Sequence, residues 1–297
     1  MRLPIKINKT NWPDWLSCTR LAMPDPRPLC RPGPPLDRTI FSSALSSLMW
    51  GSTWKTTKSN RQPQSDALLI AALTDEALAR PIQPLRLLEV GAANGTNAMD
   101  LLARLDAAHL TLERYFVTDA NTRIACLERN GYTYFFDEDG RVTMAATDRL
   151  LIYANCHGAP NWLSTAVGRI LKCAPTNWPK SAWRSTFQPE LEAMANQDQR
   201  LALLRHDIRH CWPYGLVNGI KAANILNPSY HDQTELATAV RHLLVALTPG
   251  GRLLVVDNRP KECASLFRLE TSGLRLEACL GPGADVTPVI LKLAPMS

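Results

Sequence analysis

Long apolar runs are missing from this chain. Nowhere do eighteen or more apolar residues stand together, the length a helix needs to cross a bilayer, so no membrane partner is expected. The opening MRLPIKINKTNWPDW interrupts its apolar residues with charge and proline, unlike the continuous apolar segment of a signal peptide, and a cytoplasmic location is the expectation. Cysteine pairs are missing as well. Cys18, Cys30, Cys126, Cys156, Cys173, Cys211, Cys263 and Cys279 are scattered without a CxxC, which points to neither a disulfide framework nor a zinc ribbon but to free thiols. No internal repeat is visible. His206, His210 and Cys211 have helical spacing but sit where a strand should end, so packing is expected there and no metal.

What the chain does have is 297 residues, 45% of them hydrophobic, enough for one large domain with additions. Its charge is uneven. Residues 1 to 61 hold ten Lys or Arg against three acids, and the rest is nearly balanced. A basic arm of that kind suits an anionic partner such as nucleic acid, and equally a solvated segment. Residues 21 to 37, LAMPDPRPLCRPGPPLD, contain six prolines, which fix φ and remove backbone donors, so an extended arm is expected over residues 1–64.

Regular structure is expected from about Ser65, where SDALLIAALTDEALA reads as a helix capped by Ser65 or Asp66. Leu85 to Val90 then reads as a buried strand, Asn97 to Leu105 as a helix, and RYFVTDA as a strand ending at Asp119. TRIACLERNGY reads as a short helix closed near Gly131, RLALLRHDI as a strand ending at Asp207, and YGLVNGIKAANIL as another strand. A clean 3.6-residue stripe marks a helix from Asp232 to Leu247, followed by the strand GRLLVVDN, the helix KECASLFRLE and two closing strands, LRLEACL and PVILKLA. Such alternation means a parallel sheet covered by helices.

Ligands of such sheets gather beyond the carboxyl ends of the strands, where backbone N–H groups converge at a helix N-terminus. The turn after the first strand reads Gly91, Ala92, Ala93, Asn94, Gly95, Thr96. A dinucleotide fingerprint, GxGxxG, would need glycine at 93 and 96, and the match is poor. An acid two residues before the first glycine, a small central residue and a glycine four beyond the first are met by Glu89, Gly91, Ala93 and Gly95.

On these residues the chain resembles the class I S-adenosylmethionine-dependent methyltransferases over roughly residues 65 to 135 and 200 to 295. The resemblance implies an α/β fold: a Rossmann-like, seven-stranded, mostly parallel sheet with helices on both faces. It implies S-adenosyl-L-methionine as cofactor, with Glu89 at its ammonium, Gly91, Ala93, Asn94 and Gly95 lining the turn, Asp119 on the ribose hydroxyls, and Asp207 with Ile208 around the adenine. ALTPGGRLLVVD, residues 246 to 257, resembles the family's helix, turn and fifth strand.

Two departures shape the rest. Asp119 and Asp207 are 88 positions apart where roughly 25 to 30 would suffice, so a methyltransferase domain over 65–295 would carry an insertion at about 136–198. The insertion begins with a β-hairpin around Asp139-Gly140, continues with a helix from Pro160 to Lys172, and could serve as a substrate lid, a homodimer arm or decoration. The fourth strand leads into AANILNPSYHDQ, whose Asn-Pro-x-Tyr resembles the Asn-Pro-Pro-Tyr of methyltransferases acting on adenine amino groups or glutamine amides. The same residues also make a turn starting a helix capped by Asp232. Asn224 and Asn227 are the candidate acceptor-binding residues, and Tyr230 and His231 the candidates to take a proton. The leading expectation is a methyltransferase for a small or medium-sized molecule. The others are one acting on nucleic acid or protein, and a catalytically silent cofactor-binding subunit.

Overall fold

Strands and helices alternate only in parts of the chain, and two sheets rather than one collect the strands. The computed structural model describes residues 5–8, 22–31, 35–49, 62–79, 84–154, 161–172, 174, 182–228, 231–258 and 261–293. In chain order the elements are β1 (Ile5–Asn8), β2 (Ala22–Met23), α1 (Arg38–Met49), α2 (Pro63–Ala79), β3 (Leu85–Val90), α3 (Thr96–Ala107) and β4 (Leu112–Asp119). Then come β5 (Arg123–Arg129), β6 (Tyr132–Phe136), β7 (Val142–Ala146), β8 (Leu150–Tyr153), α4 (Asn161–Lys172), β9 (Trp183–Ser185) and α5 (Pro189–Gln197). The chain closes with β10 (Leu201–Arg205), β11 (Val217–Ala223), α6 (Gln233–Leu244), β12 (Leu247–Asn258), β13 (Glu262–Glu270), β14 (Gly273–Leu280) and α7 (Thr287–Leu291). Two units result, one of Met1–Lys58 with Asn121–Pro189, the other of Ser59–Ala120 with Glu190–Ser297.

The second unit holds a seven-stranded sheet in the order β10-β4-β3-β11-β12-β13-β14. The first five strands run parallel, β13 is antiparallel to β12, and β14 is antiparallel to β13. Both faces are covered because both are apolar. Leu88, Val90, Phe116, Ile220 and Ala222 pack with Leu236, Val240 and Leu243 of α6 and Ile290 of α7. Gly219, which pairs in register with Leu87, belongs to the opposite face, where Leu69 and Leu73 of α2 lie against it. Asp232 caps α6 through the Glu235 N–H at 2.8 Å, and Glu235 returns the bond to the Asp232 N–H. Helix α2 takes its N-terminal partner from afar: Glu262 on β13 accepts from the Ser65 N–H at 2.7 Å, where Ser65 or Asp66 was the expected cap.

Two assignments near the end of the chain exchange. KECASLFRLE is strand β13 rather than a helix, because its apolar residues are buried in succession between β12 and β14. PVILKLA is not a strand; its first residues form the short helix α7, entered through a proline in its first turn, and LRLEACL pairs with β13 instead.

The first unit is an antiparallel sheet of order β2-β1-β8-β7-β6-β5-β9, with only the β1–β2 pair parallel. TRIACLERNGY is not a helix. It is β5 and the start of a hairpin whose turn residues Asn130 (φ 51°) and Gly131 (φ 76°) have the left-handed pair that a two-residue turn requires. The hairpin expected at Asp139-Gly140 joins β6 to β7, and the expected helix is α4. The N-terminal segment is more than an extended arm. β1 pairs with β8, and Leu29, Phe41, Leu45 and Leu48 form one apolar layer with Phe135, Met144 and Tyr153. Cys30 and Cys126, expected as free thiols, are joined in a disulfide that ties the proline-rich segment to β5.

Candidate functional site

In the second unit the chain leaves β3 toward β4 and β10 on one side, while β11 and β12 lie on the other. Strand order therefore reverses between β3 and β11, and the crevice beyond their carboxyl ends is where a sheet of this kind can admit a ligand. The turn from β3 into α3 occupies that position. Gly91 (φ 68°), Ala93 (φ 54°) and Gly95 (φ 76°) are all left-handed. At Gly91 a side chain is excluded twice, by φ and because a Cβ would lie 2.6 Å from Ile225 Cδ1. Ile225, just past β11, thus accounts for the first glycine by packing, a contact that sequence spacing did not reveal.

Asp119 is brought to this turn. Its Oδ2 accepts from the Ala93 N–H at 2.9 Å, and the Ala92 N–H donates to the Thr118 carbonyl at 2.9 Å. Asn94 is fully buried and its Oδ1 accepts from the Thr96 N–H. Thr96 Oγ1 and Asn97 Oδ1, in the first turn of α3, are buried without a hydrogen-bond partner. Buried polar atoms left over at the mouth of a helix have a use for a ligand or water.

Asp207 lies beside Asp119 at the strand ends. Arg205 is paired in register with Asp119, and the His206 N–H donates to the Asp119 carbonyl at 2.9 Å. The Asp207 carboxylate accepts from the Arg209 backbone N–H and side chain, both at 2.9 Å. Burial raises its pKa, but Arg209 outweighs burial and leaves it below the usual carboxylate range. Ile208 is buried, its carbonyl 3.2 Å from Nδ1 of His242 on α6. His206 turns inward, edge-on to Trp212 with ring centroids 5.2 Å apart, and burial depresses its pKa.

Glu89 is at the same end of the sheet but faces the interior. It is 2% exposed and accepts a hydrogen bond from the Tyr115 hydroxyl. Its register partner on β11 is Lys221, whose ammonium is 2.7 Å from Asp66 Oδ1 on α2. Burial pushes the Asp66 carboxyl up to about 6, with Lys221 pulling the other way, and burial beside Glu89 drives the Tyr115 hydroxyl well above its usual range. Tyr115 and Lys221 were not singled out from the sequence and Asp66 was named only as a helix cap, although a lysine inside an apolar strand signals a buried partner.

The loop after β11 carries the acceptor-side candidates. Asn224 is left-handed (φ 58°), and its N–H donates to the Val256 carbonyl at 2.8 Å. The His231 N–H donates to the Asn227 carbonyl at 3.3 Å, and His231 Nδ1 is 3.6 Å from Glu235. The two His231 contacts lie at the start of α6, and the Asn224 bond joins the end of β11 to β12. Tyr230 lies outside the described residues.

No family model matches the chain, and no curated protein does. Solved structures resemble it distantly. An amino pentose methyltransferase from Micromonospora echinaspora is 13% identical with a TM-score of 0.30, the match covering 71% of this chain and 66% of that one. The N-methyltransferase NodS from Bradyrhizobium japonicum, in complex with S-adenosyl-L-homocysteine, is 13% identical with a TM-score of 0.35, covering 73% and 72%. The DszA carbon methyltransferase is 14% identical at 0.36, and there the match spans only 41% of that chain. Scores this low fix neither the fold nor the activity of this chain.

Proposed function

We propose that the chain is an S-adenosylmethionine-dependent methyltransferase acting on a small or medium-sized molecule, with the second unit as its catalytic body. The observation that carries the reading is the left-handed turn at the point of strand reversal, held by Asp119, with Thr96 and Asn97 offering buried polar atoms that no described residue satisfies. These residues fit the cofactor. Asp119, which holds the Ala93 N–H, would face the ribose, Asp207 and Ile208 would flank the adenine, and Ala93 to Asn97 would line the amino-acid end.

When bound, S-adenosylmethionine supplies a methyl group already made electrophilic by the sulfonium, with a neutral thioether as leaving group. The chain's own task is then to align the acceptor in line and to exclude water. Asn224 and Asn227 would orient the acceptor, and His231 or Tyr230 would take the proton it loses. The basic N-terminal residues offer nucleic acid as a second acceptor class, and a homodimer is compatible with this reading. No helix among the described residues is long and apolar enough to cross a membrane, and the cytoplasmic location expected from the sequence is opposed by the Cys30–Cys126 disulfide.

The test is calorimetric titration of the full chain with S-adenosylmethionine, followed by incubation with labelled cofactor and a metabolite or RNA extract. Binding with label in a small molecule is the expected outcome. Label in RNA would replace the acceptor class, binding with no label would make the chain a silent subunit, and no binding would end the proposal.

A further inference from the structure

At the carboxyl end of β10 one imidazole is enclosed where a second proton has nowhere to bond. His206 is 8% exposed, and its ring lies edge-on to Trp212 with centroids 5.2 Å apart. Trp212 in turn meets Phe116 and Tyr214 edge-on, each at 4.9 Å and 4.9 Å between centroids. His206 Nε2 and Trp212 Nε1 are both buried, with no hydrogen-bond partner among the described residues. A neutral imidazole fits such a place. An imidazolium carries N–H on both nitrogens, and a charge set among rings without an acceptor is costly.

The charged and titratable groups around the ring do not remove that cost. On its own segment Asp207 favours a proton on His206, but the Asp207 carboxylate is held by Arg209, and His210 repels the proton. From α6, His242 repels it as well. From β4, Asp119 meets the segment through its main chain, its carbonyl accepting the His206 N–H at 2.9 Å while its carboxylate holds the Ala93 N–H. From β3, the Arg86 guanidinium lies 5.5 Å from the centre of the Phe116 ring. Burial is the strongest of these influences, and it keeps His206 below the ordinary histidine value of 6.5.

We infer that His206 is an acid-released latch: its neutral ring holds residues 206–212 against the sheet, and acidification opens that segment, with Asp207 and Ile208 on it, and weakens nucleoside binding. The segment is otherwise tied by the His206 amide, by the His210 N–H on the Asp207 carbonyl at 2.9 Å and by His242 at the Ile208 carbonyl. The sign follows from where the proton goes. Closed, His206 resists it; open, His206 returns to about 6.5. Closure is therefore fully favoured above 6.5, and as pH falls below that value it weakens by up to about tenfold per pH unit for one proton taken up. The opening stands on the fold alone, whereas its effect on a nucleoside rests on the methyltransferase reading.

The experiment is amide hydrogen exchange of the full chain from about pH 7.5 to about pH 5, expressed as protection factors so that the intrinsic pH dependence of exchange is removed. Protection of the His206 and His210 amides should fall by up to about tenfold per pH unit below 6.5, while the Val217 amide, bonded to the Ala246 carbonyl in the same unit, keeps its protection. In His206→Gln, which cannot take the proton, the fall should disappear. In His210→Gln, which removes an exposed repelling group, it should begin at higher pH; this second variant serves should the first not fold. Protection that stays constant in the parent, that falls equally in His206→Gln, or that falls alike at Val217 overturns the latch. Calorimetric titration with S-adenosyl-L-homocysteine at the two ends of the range then reads the consequence: the parent should lose affinity with acid and His206→Gln should not. An equal loss in both overturns the link between latch and nucleoside. If the parent binds no nucleoside at either pH while the exchange result holds, the latch is supported and the methyltransferase reading falls.

Discussion

The two sheets of this chain have equal strand counts and opposite interiors. In the first unit an antiparallel sheet packs apolar side chains on both faces, and among its described residues Lys6 is the buried charged residue and no Asp or Glu is buried. In the second, Asp66, Glu89, Lys221, Arg252 and Asp257 are all buried in or against the sheet. An antiparallel hairpin sheet returns its chain at both edges. A parallel sheet sends all its strand ends one way, so turns, helix N-termini and carboxylates converge on one edge. Buried charge is costly unless something needs it. The contrast supports the proposed site in the second unit, while the first is tied by a disulfide.

That contrast can be broken at several points. The largest effect should come from Lys221→Ala, which leaves the Asp66 carboxyl buried without its partner; a loss of about 3–5 kcal/mol in urea unfolding is expected, and a loss below 1 kcal/mol would show that the pair is not buried as described. Next is Cys30→Ser. The bridged residues are 96 apart in sequence, and removing the link should cost about 2–4 kcal/mol. Under non-reducing conditions Cys30 and Cys126 should also resist alkylation, and their labelling would contradict the bond. A disulfide of this kind persists in oxidising surroundings, which sets it against the cytoplasmic expectation.

Tyr115→Phe should cost about 1–3 kcal/mol by leaving the Glu89 carboxylate short of a donor, and an unaltered unfolding midpoint would mean Glu89 does not depend on that hydroxyl. The smallest effect is Asp232→Ala, about 0.5–2 kcal/mol from the lost capping box; it should leave cofactor binding untouched, since the cap belongs to α6 and not to the turn. Acid titration bears on the same cluster. Burial raises the folded pKa of Asp66 to about 6, above its unfolded value of 3.8. Its contribution to stability is therefore present below 3.8 and is lost as pH rises through about 6, and Asp66→Asn should flatten that part of the pH–stability curve.

Much of the second unit was legible because its signals are local. Leu85–Val90 with its glycine turn, Asp119 ending a strand, and the stripe of α6 all read correctly within a dozen residues. β13 did not, since a continuous apolar run carries no period to separate a buried strand from a helix. The first unit was harder still. Residues 5–7 pair with 150–152, and Cys30 with Cys126, contacts about a hundred or more positions apart that no local pattern announces. At the site, the spacing of Glu89, Gly91 and Gly95 was visible, but which way Glu89 turns depended on Tyr115 and Lys221 on neighbouring strands.

Amide hydrogen exchange of the full chain, with and without saturating S-adenosyl-L-homocysteine, tests the central claim most directly. Added protection should concentrate at Gly91 to Asn97, Asp119 and His206 to Ile208, with the core strands of the first unit unchanged. Protection confined to the first unit, or none anywhere, would contradict a nucleoside site at the carboxyl ends of the parallel strands.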